Sequence, residues 1–217
     1  MGDTIAADQL TLYDLEQRFG LQFAPSPAAF PEWQADLPHL TTAEQARLER
    51  VQAVMANLEQ RSVLENTVKL AVVAPLLDLA GLMLPPFYVT TETSTDLATT
   101  DGNLLVRGRI DVLVLKDQLW VLVIESKRAE FSIKVAIPQA LAYMLAAPHP
   151  HPPLYGLVTN GTDFVFLKLI AAEPPLYARS KQFVLGQDDD LARVLRVLKH
   201  IAEIVADGEG SWDQQPA

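Results

Sequence analysis

The sequence predicts an α/β (α+β) sandwich: a mixed β-sheet flanked by helices, with a helical extension at the N-terminus. Two observations carry this. The hydrophobic period switches along the chain, giving the order helix, three strands, helix, two strands, helix. No Gly-rich loop follows a strand and no GxxxxGK followed by Ser or Thr occurs, which argues against a Rossmann fold and against an ATP motor. With 217 residues, 49% of them apolar, the chain can bury a substantial core in one domain.

Residues 1–60 read as a helical prologue. Asp8 to Phe19 has helical spacing, and Ala24 to Pro38 holds four prolines and reads as a loop. Thr41 and Thr42 with Glu44 and Gln45 mark a helix start, and the pattern runs to about Gln60. The main domain is expected over 61–207. Ser62 opens its first helix in a capping box with Glu65, and that helix ends near Gly81. Tyr88 to Thr95, Asn103 to Leu115 and Leu119 to Lys127 read as strands, the last two joined by a tight turn at Lys116–Gln118. Ile133 to Ala147 returns to helical spacing, and His149 to Pro153 is a loop. Leu154 to Thr159 and Phe164 to Leu169 are strands around Asn160–Gly161, a dipeptide suited to a type I′ turn. Asp188 to Asp190 start a last helix that reaches Asp207, and 208–217 read as a disordered tail.

Composition removes several function classes. There is no cysteine, so a disulfide scaffold, a thiol nucleophile and thiolate metal sites are excluded, and a cytoplasmic location is the expectation. Met1 to Leu10 is too polar for a signal peptide. The most apolar stretch, Leu70 to Tyr88, is broken by Pro75, Asp78, Gly81, Pro85 and Pro86, so no membrane span is expected. No GxSxG elbow occurs, and His149-Pro150-His151 reads as an exposed loop rather than a metal pair. The formal charge of −10 is unlike a protein that holds nucleic acid by overall charge. The excess acid is segregated, however. Residues 1–60 carry three basic and nine acidic side chains, and 186–217 carry three and seven. Residues 105–135 carry six and four, so Arg107, Arg109, Arg128 and Lys134 can meet phosphates there.

The informative segment is Gly108 to Arg128. Side chains alternate along a strand, so Glu125 and Lys127 share a face. The hairpin brings Asp111 beside the Ile124–Glu125 end of the next strand. Two carboxylates and an amine thus converge where the surroundings are Val, Leu, Ile and Trp. Such charges are costly unless paired or bound to a metal. The bland reading is an ion-pair cluster at a sheet end. The sharper one is a divalent cation relieving the Asp111–Glu125 repulsion. Oxygen ligands, with waters filling the remaining positions, suit Mg²⁺ or Mn²⁺, and Lys127 then sits beside the nucleophile or the scissile phosphate.

Asp, thirteen residues, then Glu-x-Lys across a hairpin resembles the PD-(D/E)xK nuclease superfamily. The nearest likeness is to the nuclease domain at the N-terminus of type I restriction enzyme R (motor) subunits. Arg109-Ile110-Asp111, Arg128 after the Lys, Gln139-x-x-x-Tyr143 and Thr159-Asn160-Gly161 all have counterparts there, and Ile110 stands in the place of the motif's Pro. The likeness covers roughly residues 60–170. It implies a restriction-endonuclease-like fold, Mg²⁺- or Mn²⁺-dependent hydrolysis of DNA, and Asp111, Glu125, Lys127, Gln139 and Tyr143 as site residues. It also implies metal-holding roles for the Ser126 carbonyl and, beside its capping role, for Glu65. Gln139 either contacts a phosphate or orients Lys127. Cutting duplex DNA needs two active sites, so a homodimer or partner motor and specificity subunits are expected, the motor domains being absent from this sequence. The competing reading is a catalytically silent module that keeps the nuclease fold for binding or assembly.

Overall fold

Strands β3 (Phe87–Ala98), β4 (Leu104–Lys116) and β5 (Leu119–Ser126) are the long antiparallel heart of the molecule. β4 and β5 form because their Val, Leu and Ile residues fit a buried, two-sided surface, and β3 because its run of Thr favours the extended chain. In this computed structural model, residues 3–99, 102–117, 119–148 and 153–207 are described. Gln118, the 149–151 His-Pro-His loop and the expected tail at 208–217 lie outside them. Parallel to β5 runs β6 (Leu154–Thr159), after the helix α5 (Ala136–Leu145), and β7 (Asp163–Ile170) returns antiparallel. The sheet is therefore mixed, as expected, with helices on both faces.

Two short segments of the prologue join the sheet. Strand β1 (Asp3–Ala6) runs parallel to β4, and β2 (Gln22–Phe23) pairs with β8 (Leu176–Arg179), which follows β7. β9 (Phe183–Val184) adds a second pairing to β7. The order along the sheet is β1-β4-β5-β6-β7-β8-β2, with β3 on β4. Helix α1 begins at Leu12 rather than Asp8, because Thr11 and Asp14 close a capping box there. α2 (Thr42–Leu58) starts as predicted, with Thr41 and Glu44 capping each other.

Two core layers sandwich the sheet. On one face α2, α4 (Ala74–Leu79) and α6 (Asp190–Asp207) pack on Val112, Val114, Leu122, Ile124, Tyr155 and Phe166. On the other, α1 (Leu12–Phe19) and α5 pack on Ile110, Leu113, Val123, Val158 and Leu167. The proline loop is pinned under the first layer. Glu32 Oε1 accepts from Lys168 Nζ at 2.6 Å and from the Tyr155 hydroxyl at 3.0 Å.

Two local expectations fail for identifiable reasons. Ser62 caps nothing: α3 (Glu65–Val68) starts three residues later with Leu64 at its N-cap and no side-chain cap. The Val63 carbonyl instead accepts from the Ala129 N–H at 3.4 Å, which draws the helix start toward the end of β5. The Asn160–Gly161 connection is not type I′, since only Gly161 has positive φ there. Asn160 Oδ1 accepts from the Thr162 and Asp163 N–H groups, a side-chain-closed turn of three residues.

Candidate active site

Strand β4 gives one edge to β3 along residues 105–116. Its other edge is shared: β1 takes 104–107 and β5 takes 112–116. Residues 108–111 face the gap between them. A cleft of about 590 Å³ opens there, walled by Ala6 to Asp8, the start of α3 and the end of β5. Glu65, Arg107, Arg109, Asp111, Glu125, Lys127, Arg128, Gln139 and Tyr143 all line it. Lys134 does not line it, lying one turn further on in the 3-10 segment before α5.

Asp111 sits where the strand's alternation breaks. Ile110 packs in one core layer and Val112 in the other, although neighbours two apart on a regular strand would flank a residue of opposite face. Asp111 Oδ2 thereby reaches the end of β5, accepting from Ser126 N–H at 2.8 Å and Ser126 Oγ at 2.9 Å. Glu125 is buried beside it. Its Oε1 accepts from Lys127 Nζ at 2.7 Å, while its buried Oε2 has no hydrogen-bond partner. Lys127 Nζ also donates to Gln139 Oε1 at 2.9 Å, and Gln139 Nε2 donates to the Tyr143 hydroxyl at 2.8 Å. The one-turn spacing of Gln139 and Tyr143 on α5 makes this chain possible. Lys127 Nζ is thereby held between Glu125 and Gln139.

Tyr143 has a second task. Its hydroxyl oxygen accepts from the Arg109 N–H at 3.3 Å, a backbone donor in the gap between the two ladders. Gly108 leaves room for the ring: a Cβ there would stand 2.6 Å from the hydroxyl. Gly108→Ala is therefore expected to push Tyr143 off Gln139 and to destabilise the protein by about 1–3 kcal/mol. A lowered urea midpoint, with an unchanged slope, checks this.

Two charged residues joined to the Asp111 cluster were not among those read from the sequence. Lys69, which opens a π-helical turn (Lys69–Val73) after α3, places Nζ 2.9 Å from Glu92, 3.1 Å from Asp111 and 3.7 Å from Glu65. Glu92, on β3, also holds Arg109 at 2.7 Å. Arg107 pairs with Asp96 at 3.6 Å, and both arginine side chains stay well exposed. The i, i+4 spacing of Glu65 and Lys69 was readable in the sequence. Glu92 gave no signal, because its strand is polar on successive positions.

Burial sets the electrostatics. It is the main force that raises the Glu125 carboxyl to about 8, and the nearby Asp111 charge adds to it against the pull of Lys127. Burial and Asp111 likewise raise Glu65. Burial, chiefly, lifts the Tyr143 hydroxyl to about 12, so it serves as a neutral hydrogen-bonding group.

The sequence profile described as Type I restriction enzyme R protein N terminus matches residues 32–175. The chain belongs to that family. No curated protein matches the chain. Among solved structures it is similar to a fragment described as an HsdR subunit of a type I restriction enzyme from Vibrio vulnificus YJ016. That likeness has 17% identity and a TM-score of 0.38, and covers 65% of this chain and 26% of that one. The chain thus spans about a quarter of that fragment's length. In this R-protein N-terminal domain, every titratable residue of the Asp111 cluster falls inside the matched span. Only Ala6 to Asp8 of the cleft wall precede it.

The donor set of the R-protein N-terminal cleft suits a divalent cation. It offers hard oxygens, and one of them, Glu125 Oε2, is buried without a partner. As the side chains stand, no group of three Asp, Glu or His among the described residues is arranged to hold a metal ion. Among the same residues, no helix is long and apolar enough to cross a membrane.

Proposed function

We propose that this chain is a metal-dependent nuclease domain that hydrolyses DNA phosphodiester bonds. The carrying observation is the pair of buried carboxylates Asp111 and Glu125, with the half-buried Lys127 beside them, at the floor of an open, arginine-rimmed cleft. Mg²⁺ or Mn²⁺, held by Asp111, Glu125, the Ser126 carbonyl and Glu65, would supply positive charge against the phosphate undergoing attack. Lys127, fixed by Glu125 and Gln139, orients the attacking water and offers an ammonium to the charge that develops. Water oxygen bonds to phosphorus, the P–O bond to the leaving sugar oxygen breaks, and the water's protons pass to solvent and the leaving group. Arg107, Arg109 and Arg128 hold the backbone on either side of the scissile phosphate, and Lys134 meets it further out. Gln139 and Tyr143 keep Lys127 and the Arg109 backbone in place.

A single cleft cuts one strand. Duplex cleavage therefore calls for a homodimer, or for the motor and specificity subunits of a restriction-modification complex. The silent-module reading draws on the acidic balance of the chain and on the lysine already seated among the acids. Melting in Mn²⁺ separates the two. The nuclease reading expects the melting temperature to rise with Mn²⁺ in wild type and to stay flat in Asp111→Asn. Identical, metal-independent melting of both proteins favours the module.

A further inference from the structure

The hydrolytic scheme leaves Lys69 without a role, yet this lysine binds more of the cleft's acids than any other side chain named above. Its side chain is only 13% exposed. Two backbone irregularities bring it there. Lys69 opens the π-helical turn, a widened turn often found at functional sites. Glu92, its closest partner, stands at φ 55, a conformation that a non-glycine residue seldom adopts without compensation.

We propose that Lys69 is a tethered counter-cation that competes with the divalent ion for Asp111, and that Glu92 is the berth to which it withdraws when the ion binds. The inference rests on Asp111 being a metal ligand. Asp111 Oδ2 is committed to Ser126 N–H and Oγ, so Oδ1 is the oxygen available to a cation. That oxygen is the one Lys69 holds. An ammonium and a divalent ion on one carboxylate oxygen repel strongly in a partly dry cleft. Lys69 need not travel far to yield: Nζ already contacts Glu92 Oε1, and a small rotation lengthens the Asp111 contact while keeping the other. Lys69 is a positioning residue in this account. It holds Asp111 in place and its charge balanced until metal arrives, and it sets how much metal is needed.

The test is calorimetric titration of the full chain with Mn²⁺ alone. Lys69→Met keeps the apolar stem and removes the charge; it is expected to bind Mn²⁺ ~10-fold tighter than wild type. Lys69→Arg keeps a cation at the site and is expected to bind no tighter than wild type. Glu92→Gln removes the berth and is expected to bind several-fold weaker, roughly 3- to 10-fold. Lys69→Met that is folded by circular dichroism but binds no tighter overturns the proposal. If that variant does not fold, Glu92→Gln decides, and unchanged or tighter binding there overturns it. Failure of the underlying reading looks different. In that case neither wild type nor any variant binds Mn²⁺, and Asp111→Asn changes nothing.

Discussion

Lys127→Ala is expected to lower DNA hydrolysis by about 10²–10⁴-fold, the range for a group that positions and charges a reacting water. The loss should fall on turnover rather than on DNA affinity, because Arg107, Arg109 and Arg128 remain on the rim. The fold should survive. Lys127 is partly exposed, and the carboxylate it leaves behind can take up a proton. Gln139→Ala should reproduce part of the defect, since the Lys127 ammonium then keeps only its Glu125 bond. Single-turnover cleavage with each variant measures this. Equal rates for wild type and Lys127→Ala would remove Lys127 from the reaction.

Glu125→Gln is expected to stabilise the metal-free protein at pH 8 while abolishing its metal response. The sign follows from proton binding. Unfolded, Glu125 titrates near 4.5; folded, it titrates near 8 because burial and Asp111 disfavour its charge. Between those values the native protein holds a proton that the unfolded chain has released. The Glu125 contribution is fully present below about pH 4.5, declines as pH rises and is lost above about 8. Its size is of order a few kcal/mol. Glutamine mimics the protonated carboxyl and removes this slope. In EDTA, melting temperature against pH should fall more steeply for wild type than for Glu125→Gln between pH 5 and 8. Parallel curves would contradict the burial argument.

The hairpin was legible because its chemistry is contiguous. Asp111, Glu125 and Lys127 lie within seventeen residues, on two strands and the residue just after them. The strands' apolar runs fix the register, and Val112 does pair with Ile124. Helices with a complete capping box, such as α2, were legible at their starts. Strands β1, β2, β8 and β9 were not, since two to four residues carry no period. They exist because tertiary neighbours offer an edge. The same limit hid part of the site. The break in alternation at Asp111 leaves no trace in composition. Glu92 reaches the cleft only through the β3–β4 register, in a strand that reads Thr-Thr-Glu-Thr-Ser-Thr. Ser62 and Glu65 had the letters of a capping box, but the helix starts at Glu65 with Leu64 at its N-cap, and Glu65 lines the cleft.

The central claim is that the Asp111 cluster hydrolyses DNA with a divalent ion. Its most direct test is the incubation of supercoiled plasmid and single-stranded DNA with wild type and Asp111→Asn, in Mg²⁺, in Mn²⁺ and in EDTA. The account predicts strand cleavage by wild type in metal, none in EDTA and none by Asp111→Asn. No cleavage by wild type in either metal, or equal cleavage by both proteins, would contradict it.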